Sequence, residues 1–115
     1  MSEDTNPVIR RAKARSALNL QIQALTKLGA ACIDSGLSPE VMEATLGEIK
    51  EEIDALYDEL RGLRQKPIIT PPTEDQMNAL RDMVKNIGEI VSDNATANEF
   101  LKIAGDTASM YKATA

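Results

Sequence analysis

Histidine and tryptophan are absent from this chain of 115 residues, which has one cysteine and only three aromatic residues. Histidine is the commonest general base near neutral pH and the commonest metal ligand, so its absence leaves few groups for catalysis. The single thiol, Cys32, can form neither an internal disulfide nor a cysteine-rich metal site. The sequence therefore predicts a protein that is not an enzyme, with no catalytic, cofactor-binding or metal-binding residues.

Long hydrophobic runs are also lacking. No segment approaches the roughly 20 apolar residues that cross a membrane, and the first residues, MSED, are acidic, unlike those of a signal peptide. We therefore expect no membrane span and a cytoplasmic location, or the host-cell cytoplasm or a particle if the source is viral. With a net charge of -5, residues 1–115 are expected to form one acidic domain.

A seven-residue repeat of apolar side chains occupies the middle of the chain. Its members alternate at spacings of four and three residues: Met42, Leu46, Ile49, Ile53, Leu56, Leu60 and Leu63. This spacing predicts a helix with one narrow apolar stripe, which requires a partner helix as in a coiled coil.

Two long helices are predicted on either side of a short turn. The pairs Asn6-Pro7 and Ser38-Pro39 are helix-start signals, so we predict helices over 7–35 and 39–66. Because a short turn makes consecutive helices antiparallel neighbours, the fold would begin with a long hairpin, 7–66.

A proline-rich segment, 67–73, cannot be helical and is predicted to be an extended connector. Beyond it, capping boxes at Thr73 and Thr96 predict two more helices. These are expected to pair as a shorter antiparallel hairpin, 74–113, which gives an all-α, four-helix bundle-like domain that oligomerisation could complete. The polar break at 92–96 also allows one bent helix in place of two.

The two helices of the long hairpin carry opposite net charge. Residues 7–35 have five basic side chains and one acidic, whereas residues 39–66 have eight acidic and four basic. The predicted register brings Arg11 and Arg15 close to Asp58 and Glu59, which favours ion pairs within the hairpin. An alternative is that the basic cluster, Arg10, Arg11, Lys13 and Arg15, binds the phosphates of nucleic acid or an anionic membrane.

Four apolar residues lie outside the predicted hairpin interfaces, two on helix 1 and two on helix 3. They must pack between the hairpins or against another chain. With the basic cluster, they form the set of candidate partner-binding residues: Arg10, Arg11, Lys13, Arg15, Leu20, Ile33, Met83 and Ile90.

A helical protein–protein interaction or assembly module, acting as an adaptor or regulator, is the function that these patterns favour. One alternative is a structural subunit of a viral or phage-like particle or filament. Another is a regulator that contacts nucleic acid through helix 1, or that inhibits a nucleic-acid-binding protein through the acidic helix 2. Direct nucleic-acid binding is disfavoured, because the chain is acidic and no aromatic residue accompanies the basic cluster. No small-molecule substrate is implied.

Overall fold

The computed structural model describes residues 6–114 and contains four α-helices: α1 (Pro7–Ile33), α2 (Pro39–Arg61), α3 (Glu74–Ile90) and α4 (Ala97–Ala108). A short 3-10 helix, Leu63–Gln65, follows α2. No β-strand occurs in the described residues, so the predicted all-α class is confirmed. Residues 91–96 are not helical, and α3 and α4 are therefore two helices rather than one bent helix.

The helix starts follow the local signals in the sequence. Asn6 caps α1, because its side-chain oxygen accepts a hydrogen bond from the backbone N–H of Val8 at 2.9 Å. Thr73 and Gln76 form the predicted capping box of α3, with bonds of 3.1 and 2.9 Å. Thr96 and Glu99 form the equivalent box of α4. Each box satisfies backbone N–H groups that a helix start leaves without partners.

The last helix ends before the position that the sequence predicts. We expected helical structure as far as residue 113, but α4 ends at Ala108. Beyond it, Tyr111 and Ala113 are buried without being helical. The physical reason is that Gln21 of α1 satisfies carbonyl groups of the last turn of α4, as described below, so the chain can leave the helix there.

α1 is the central helix of the fold. It makes its most extensive contacts with α2 and the next most extensive with α3, while α4 packs on α2 and also contacts α1. Buried residues cover a wide part of its surface: Ala14, Ala17, Leu18, Gln21, Ile22, Ala24, Leu25, Leu28, Gly29 and Cys32. The buried face of α1 is therefore much wider than the single stripe that pairing with α2 alone would need.

The predicted interface within the short hairpin 74–113 is wrong. Within the described residues, α3 and α4 do not pack along their lengths, because α3 packs against α1 and α4 packs against α2 and α1. Leu80 and Ile87 of α3 are buried as the periodicity predicts. Periodicity identifies the buried side of a helix but not the helix that covers it, and α1 offers a second apolar side.

The connector, residues 67–73, is not helical, as predicted. Of its two isoleucines, Ile69 is buried, whereas Ile68 is 71% exposed. Successive side chains of an extended segment point to opposite sides, which explains the difference. Ile69 joins the hydrophobic core that includes Phe100 and Leu63, and Pro72 of the connector is also buried.

Candidate interaction surfaces

The segments that connect the helices lie at two ends of the molecule. At the turn end, the α1–α2 turn (34–38) lies against the α3–α4 segment (91–96), and a Cβ on Gly36 would be 3.9 Å from the carbonyl oxygen of Asp93. At the connector end, residues 67–73 lie close to the first turns of α1 and to residues 110–113. The two ends differ in the side chains that they present.

Three large aliphatic side chains are exposed at the turn end. Ile33, the last residue of α1, is 57% exposed, and Ile90, the last residue of α3, is 48% exposed. Val41, in the first turn of α2, is 42% exposed. Ile33 and Ile90 are two of the four apolar residues that lie outside the predicted hairpin interfaces.

The other two apolar candidates are less exposed, although Met83 lines an open depression on α3 together with Ile90. Leu20 and Met83 are partly buried and pack against the hydrophobic core. Leu20 belongs to α1 and Met83 to α3, and these two helices contact each other extensively. Leu20 and Met83 therefore pack against the core, whereas Ile33 and Ile90 are exposed.

The basic cluster divides between two depressions near the connector end. Arg10 and Arg11 line a small cleft with Lys66, while Lys13 lines a wider groove between α1 and the start of α3. Arg15 is exposed and lines neither of these depressions. The structure thus separates four side chains that the sequence presents as one run.

The ion pairs that we predicted across the long hairpin are wrong. Among the described residues, Asp58 pairs with Arg61 on its own helix, and Glu59 pairs with Lys66 at 3.7 Å. Neither carboxylate pairs with Arg11 or Arg15. Partners close in the chain cost less chain entropy to hold together than partners on another helix, which favours the local pairs.

The acidic side of α2 borders α4. Glu48, Glu51 and Glu52 line a shallow depression with Leu101 and Ala104. Within the described part of the chain, no group of three His, Cys, Asp or Glu side chains could hold a metal ion. Cys32 is fully buried in the core, and burial raises the pKa of its thiol. A buried, protonated thiol behaves as a small apolar side chain with low reactivity.

Gln21 is an important buried residue that the sequence reading missed. Its Nε2 group donates hydrogen bonds to the carbonyl oxygens of Thr107, Ala108 and Tyr111, at 3.1, 3.0 and 3.1 Å. The two amide hydrogens are shared among three acceptors, which fixes the orientation of the amide. Gln21 therefore joins the central helix to the C-terminal end of α4. Gln21 lies next to Ile22 and between Leu18 and Leu25 on the apolar side of α1, and this position is the signal that could have identified it.

Residues 109–114 are held at the connector end by polar contacts. The backbone N–H of Thr70 donates to the carbonyl oxygen of Ala113 at 2.8 Å, and the Tyr111 hydroxyl donates to the carbonyl oxygen of Thr70. The N–H of Ala113 donates to Glu59 Oε1 at 3.0 Å. Burial, together with the nearby Glu59 carboxylate, raises the pKa of Tyr111 to about 12.

Comparison with protein-family models, curated proteins and solved structures finds no match for this chain. Among the residues that the structure describes, no helix has the length and apolar character needed to cross a lipid bilayer.

Proposed function

We propose that this chain is a non-enzymatic helical interaction module, an adaptor or regulator, that binds a protein partner through the aliphatic side chains of the turn end. The observation that carries the proposal is the exposure of Ile33 and Ile90 at the ends of two neighbouring helices. Isolated exposed aliphatic residues are common on protein surfaces, whereas adjacent ones form patches that mark interaction sites.

Two contacts support the adjacency of these isoleucines. Lys27 Nζ donates to the carbonyl oxygen of Val84 at 3.0 Å, and Gly36 lies against Asp93. In both pairs the residue numbers differ by 57, and a constant difference is what two helices running side by side in the same direction produce. The same difference relates Ile33 to Ile90, which supports placing these two residues at the same level along α1 and α3.

A third contact supports adding Val41 to this surface. A Cβ on Gly29 would be 3.7 Å from Cδ2 of Leu46, so the last part of α1 lies against the first part of α2. This contact fits the antiparallel long hairpin that the sequence predicts. In that arrangement Val41 lies level with the end of α1, and the turn end presents one aliphatic side chain from each of three consecutive helices.

The two isoleucines are held in place by the fold before a partner binds, and this preorganisation favours binding. Full burial of an isoleucine side chain contributes about 1.5–3 kcal/mol. Burying the exposed halves of two such side chains would thus contribute roughly 2 kcal/mol, which is more than tenfold in affinity. Because both residues belong to helices, little additional ordering is needed when a partner binds. A partner that fits this surface carries an aliphatic patch of its own.

The test compares wild-type protein with an Ile33→Ser/Ile90→Ser double variant as baits in quantitative affinity purification from the source cells. The matched control is Ile68→Ser, which also replaces an exposed aliphatic residue, but at the connector end. We expect a specific protein to be recovered with wild type and Ile68→Ser and to be lost with the double variant. Light scattering of the purified proteins would show whether that partner is a second copy of the chain, as expected for an assembly subunit.

Two outcomes would refute the proposal. One is equal recovery of the partner by the double variant and the wild type. The other is a monomer at high concentration from which no specific partner is recovered. Circular dichroism of all the variants would establish that they are folded.

A further inference from the structure

α3 is the helix with the fewest neighbours in the described part of the chain. It packs along α1 alone, whereas α2 packs on α1 and α4, and α4 packs on α2 and α1. A helix of a closed four-helix bundle has a neighbour on each side. One side of α3 therefore lacks the helix that a complete bundle would place there.

That side carries a second, mainly apolar stripe, separate from the one that faces α1. Its members are spaced by four, three and four residues, as in a coiled-coil interface: Ala79, Met83, Asn86 and Ile90. They lie along one open depression, whose other lining residues are Asp82 and Glu89. Leu80 and Ile87 are buried on the core side instead. The sequence of α3 thus has the spacing for two helix partners, and the fold supplies one of them.

A row of carboxylates borders this second stripe. Asp75, Asp82 and Glu89 are exposed and follow one another at intervals of seven residues, so they lie on one side of α3 beside the stripe. Within the described residues none of them is in an ion pair, because both ion pairs there involve carboxylates of α2. The basic side chains of α3, Arg81 and Lys85, lie more than about 120° round the helix from the stripe. The stripe is therefore accompanied by negative charge that the fold does not neutralise.

The ends of the chain are too far away to cover this face. The constant difference of 57 between α1 and α3 supports placing Ala79 level with Ile22, which is about 22 Å along α1 from Pro7. Residues 1–5 join the chain at Asn6, and five fully extended residues span at most about 18 Å. Residue 115 joins the chain at the connector end. A helix that covers the stripe must therefore come from another molecule.

The charge pattern distinguishes a second copy from a different partner. If two α3 helices met stripe to stripe in antiparallel orientation, their acidic rows would face each other, which is unfavourable. In parallel orientation, each acidic row would face Leu80 and Ile87 of the other copy, and these are already buried in its core. A helix with aliphatic residues at the same spacing and with lysine or arginine beside them fits instead. Such a helix covers the stripe and pairs with the acidic row.

We propose that the outer face of α3, from Ala79 to Ile90, binds a basic amphipathic helix of a partner protein. This inference rests on the proposed function, because Ile90 belongs to both surfaces, and it adds the class of partner element and its course along α3. Ala79 and Ile90 are about 16 Å apart along the helix, so about three turns of the partner are in contact. Asn86, within the stripe, favours a polar residue at the facing position, which fixes the register.

The probe is a fluorophore-labelled synthetic helix of three heptads, with leucine at the a and d positions and lysine at the e and g positions, where lysine disfavours self-association. Its binding to the full chain is measured by fluorescence anisotropy at low ionic strength. We expect saturable binding that Met83→Ser weakens about fivefold, because less apolar area is buried. The double variant Asp82→Asn/Glu89→Gln should weaken binding about three- to tenfold, because two ion pairs are lost.

Glu51→Gln/Asp54→Asn is the matched control, since it removes the same two charges from exposed positions of α2. It should change the affinity less than about twofold. Equal weakening by this control and by Asp82→Asn/Glu89→Gln would overturn the inference in favour of diffuse attraction. Equal binding of a peptide with glutamate in place of lysine would also overturn it, as would the absence of saturable binding at about 1 mM peptide, roughly the weakest affinity expected for such a helix.

A peptide that copies residues 74–91 tests a second copy of α3 as the occupant, and tighter binding of this peptide than of the lysine peptide would overturn the inference. Failure of this inference can be told apart from failure of the proposed function, because Ile33 lies outside the stripe. A native partner that is lost with Ile33→Ser/Ile90→Ser but retained by Met83→Ser would overturn only the helix site. Lysine-peptide binding that depends on Met83 would support the helix site even if the Ile33→Ser/Ile90→Ser variant kept that partner. Circular dichroism checks that each variant is folded.

Discussion

The two ends of this molecule are closed in different ways. At the connector end, Thr70, Tyr111 and Ala113 exchange hydrogen bonds between segments that are distant in the chain, and Glu59 bonds the backbone of Ala113. At the turn end, the hydrogen bonds of Ser35 are to residues two or three positions away. The connector end also has a cleft lined by Arg10, Arg11 and Lys66. Both ends expose aliphatic side chains, Val8 and Ile68 at the connector end and Ile33, Val41 and Ile90 at the turn end.

Segments fixed by long-range polar contacts and residues available for contact are therefore distributed unequally along the same helices. Polar bonds between distant segments are lost together when the structure opens, so they fix the position of residues 109–114 against α1 and the connector. The local hydrogen bonds of the turn end do not fix distant segments of the chain against each other in this way.

Gln21→Leu should destabilise the fold by about 2–4 kcal/mol, because the carbonyl oxygens of Thr107, Ala108 and Tyr111 would lose their buried donor. Chemical denaturation measures this change. Hydrogen exchange should accelerate most in α4 and in residues 109–113. Gln23→Leu is the control, because residue 23 is exposed on the same helix, and it should change stability by less than about 0.5 kcal/mol. Equal effects of the two substitutions would contradict the role of Gln21.

Tyr111→Phe should destabilise the fold by about 1 kcal/mol at neutral pH, the usual net contribution of one hydrogen bond. A second effect depends on pH. Because the pKa of Tyr111 is raised from 10.0 to about 12 in the folded state, its stabilising effect is complete below pH 10 and is lost as the pH rises towards 12.

Denaturation of Tyr111→Phe at pH 8, 10 and 11 should therefore show a smaller loss of stability with pH than that of the wild type. The raised pKa of the Cys32 thiol leaves a remaining pH dependence in both proteins. Tyr57→Phe is the control, since Tyr57 is 43% exposed, and it should keep the wild-type pH profile. Identical profiles for all three proteins would show that Tyr111 is not held as described.

Ile33→Ser should change the unfolding free energy by less than about 0.5 kcal/mol, because most of its side chain is already in water. The comparison residue is Leu28 of the same helix, which is fully buried, and Leu28→Ala should cost about 2–5 kcal/mol. Thermal or chemical denaturation measures both changes. A large loss of stability for Ile33→Ser would mean that the turn end belongs to the core rather than to a binding surface.

The sequence predicts those parts of the fold that depend on neighbouring residues. The cap at Asn6 and the boxes at Thr73 and Thr96 involve residues two or three positions apart, and all of them occur in the structure. The apolar stripes likewise identify buried positions such as Ile49 and Leu80. These features depend on helix geometry, which is the same in any fold.

The contacts that were not predicted depend on distant partners. The packing of the α3 stripe on α1 in place of α4 was not predicted, because this stripe fits any apolar surface of suitable width. The end of α4 was not predicted, because it depends on Gln21, 86 residues from Thr107 in the chain. Of the candidate residues, Ile33 and Ile90 could be singled out from the sequence because they lie outside the apolar stripes of the predicted hairpin interfaces. The proximity of Lys66 to Arg10 and Arg11 was not predicted, because Lys66 is far from them in sequence.

The Cα atoms of the fold span 53 × 25 × 17 Å. Packed helices lie 8–10 Å apart, so the thinnest dimension contains only two layers of helices. A core this thin has no deep interior. At the turn end, the buried Cys32 is followed directly by the exposed Ile33. A protein that covered Ile33 and Ile90 would therefore extend the hydrophobic core along the long axis of the molecule. Binding of that protein would then stabilise the fold of this chain as well as the complex.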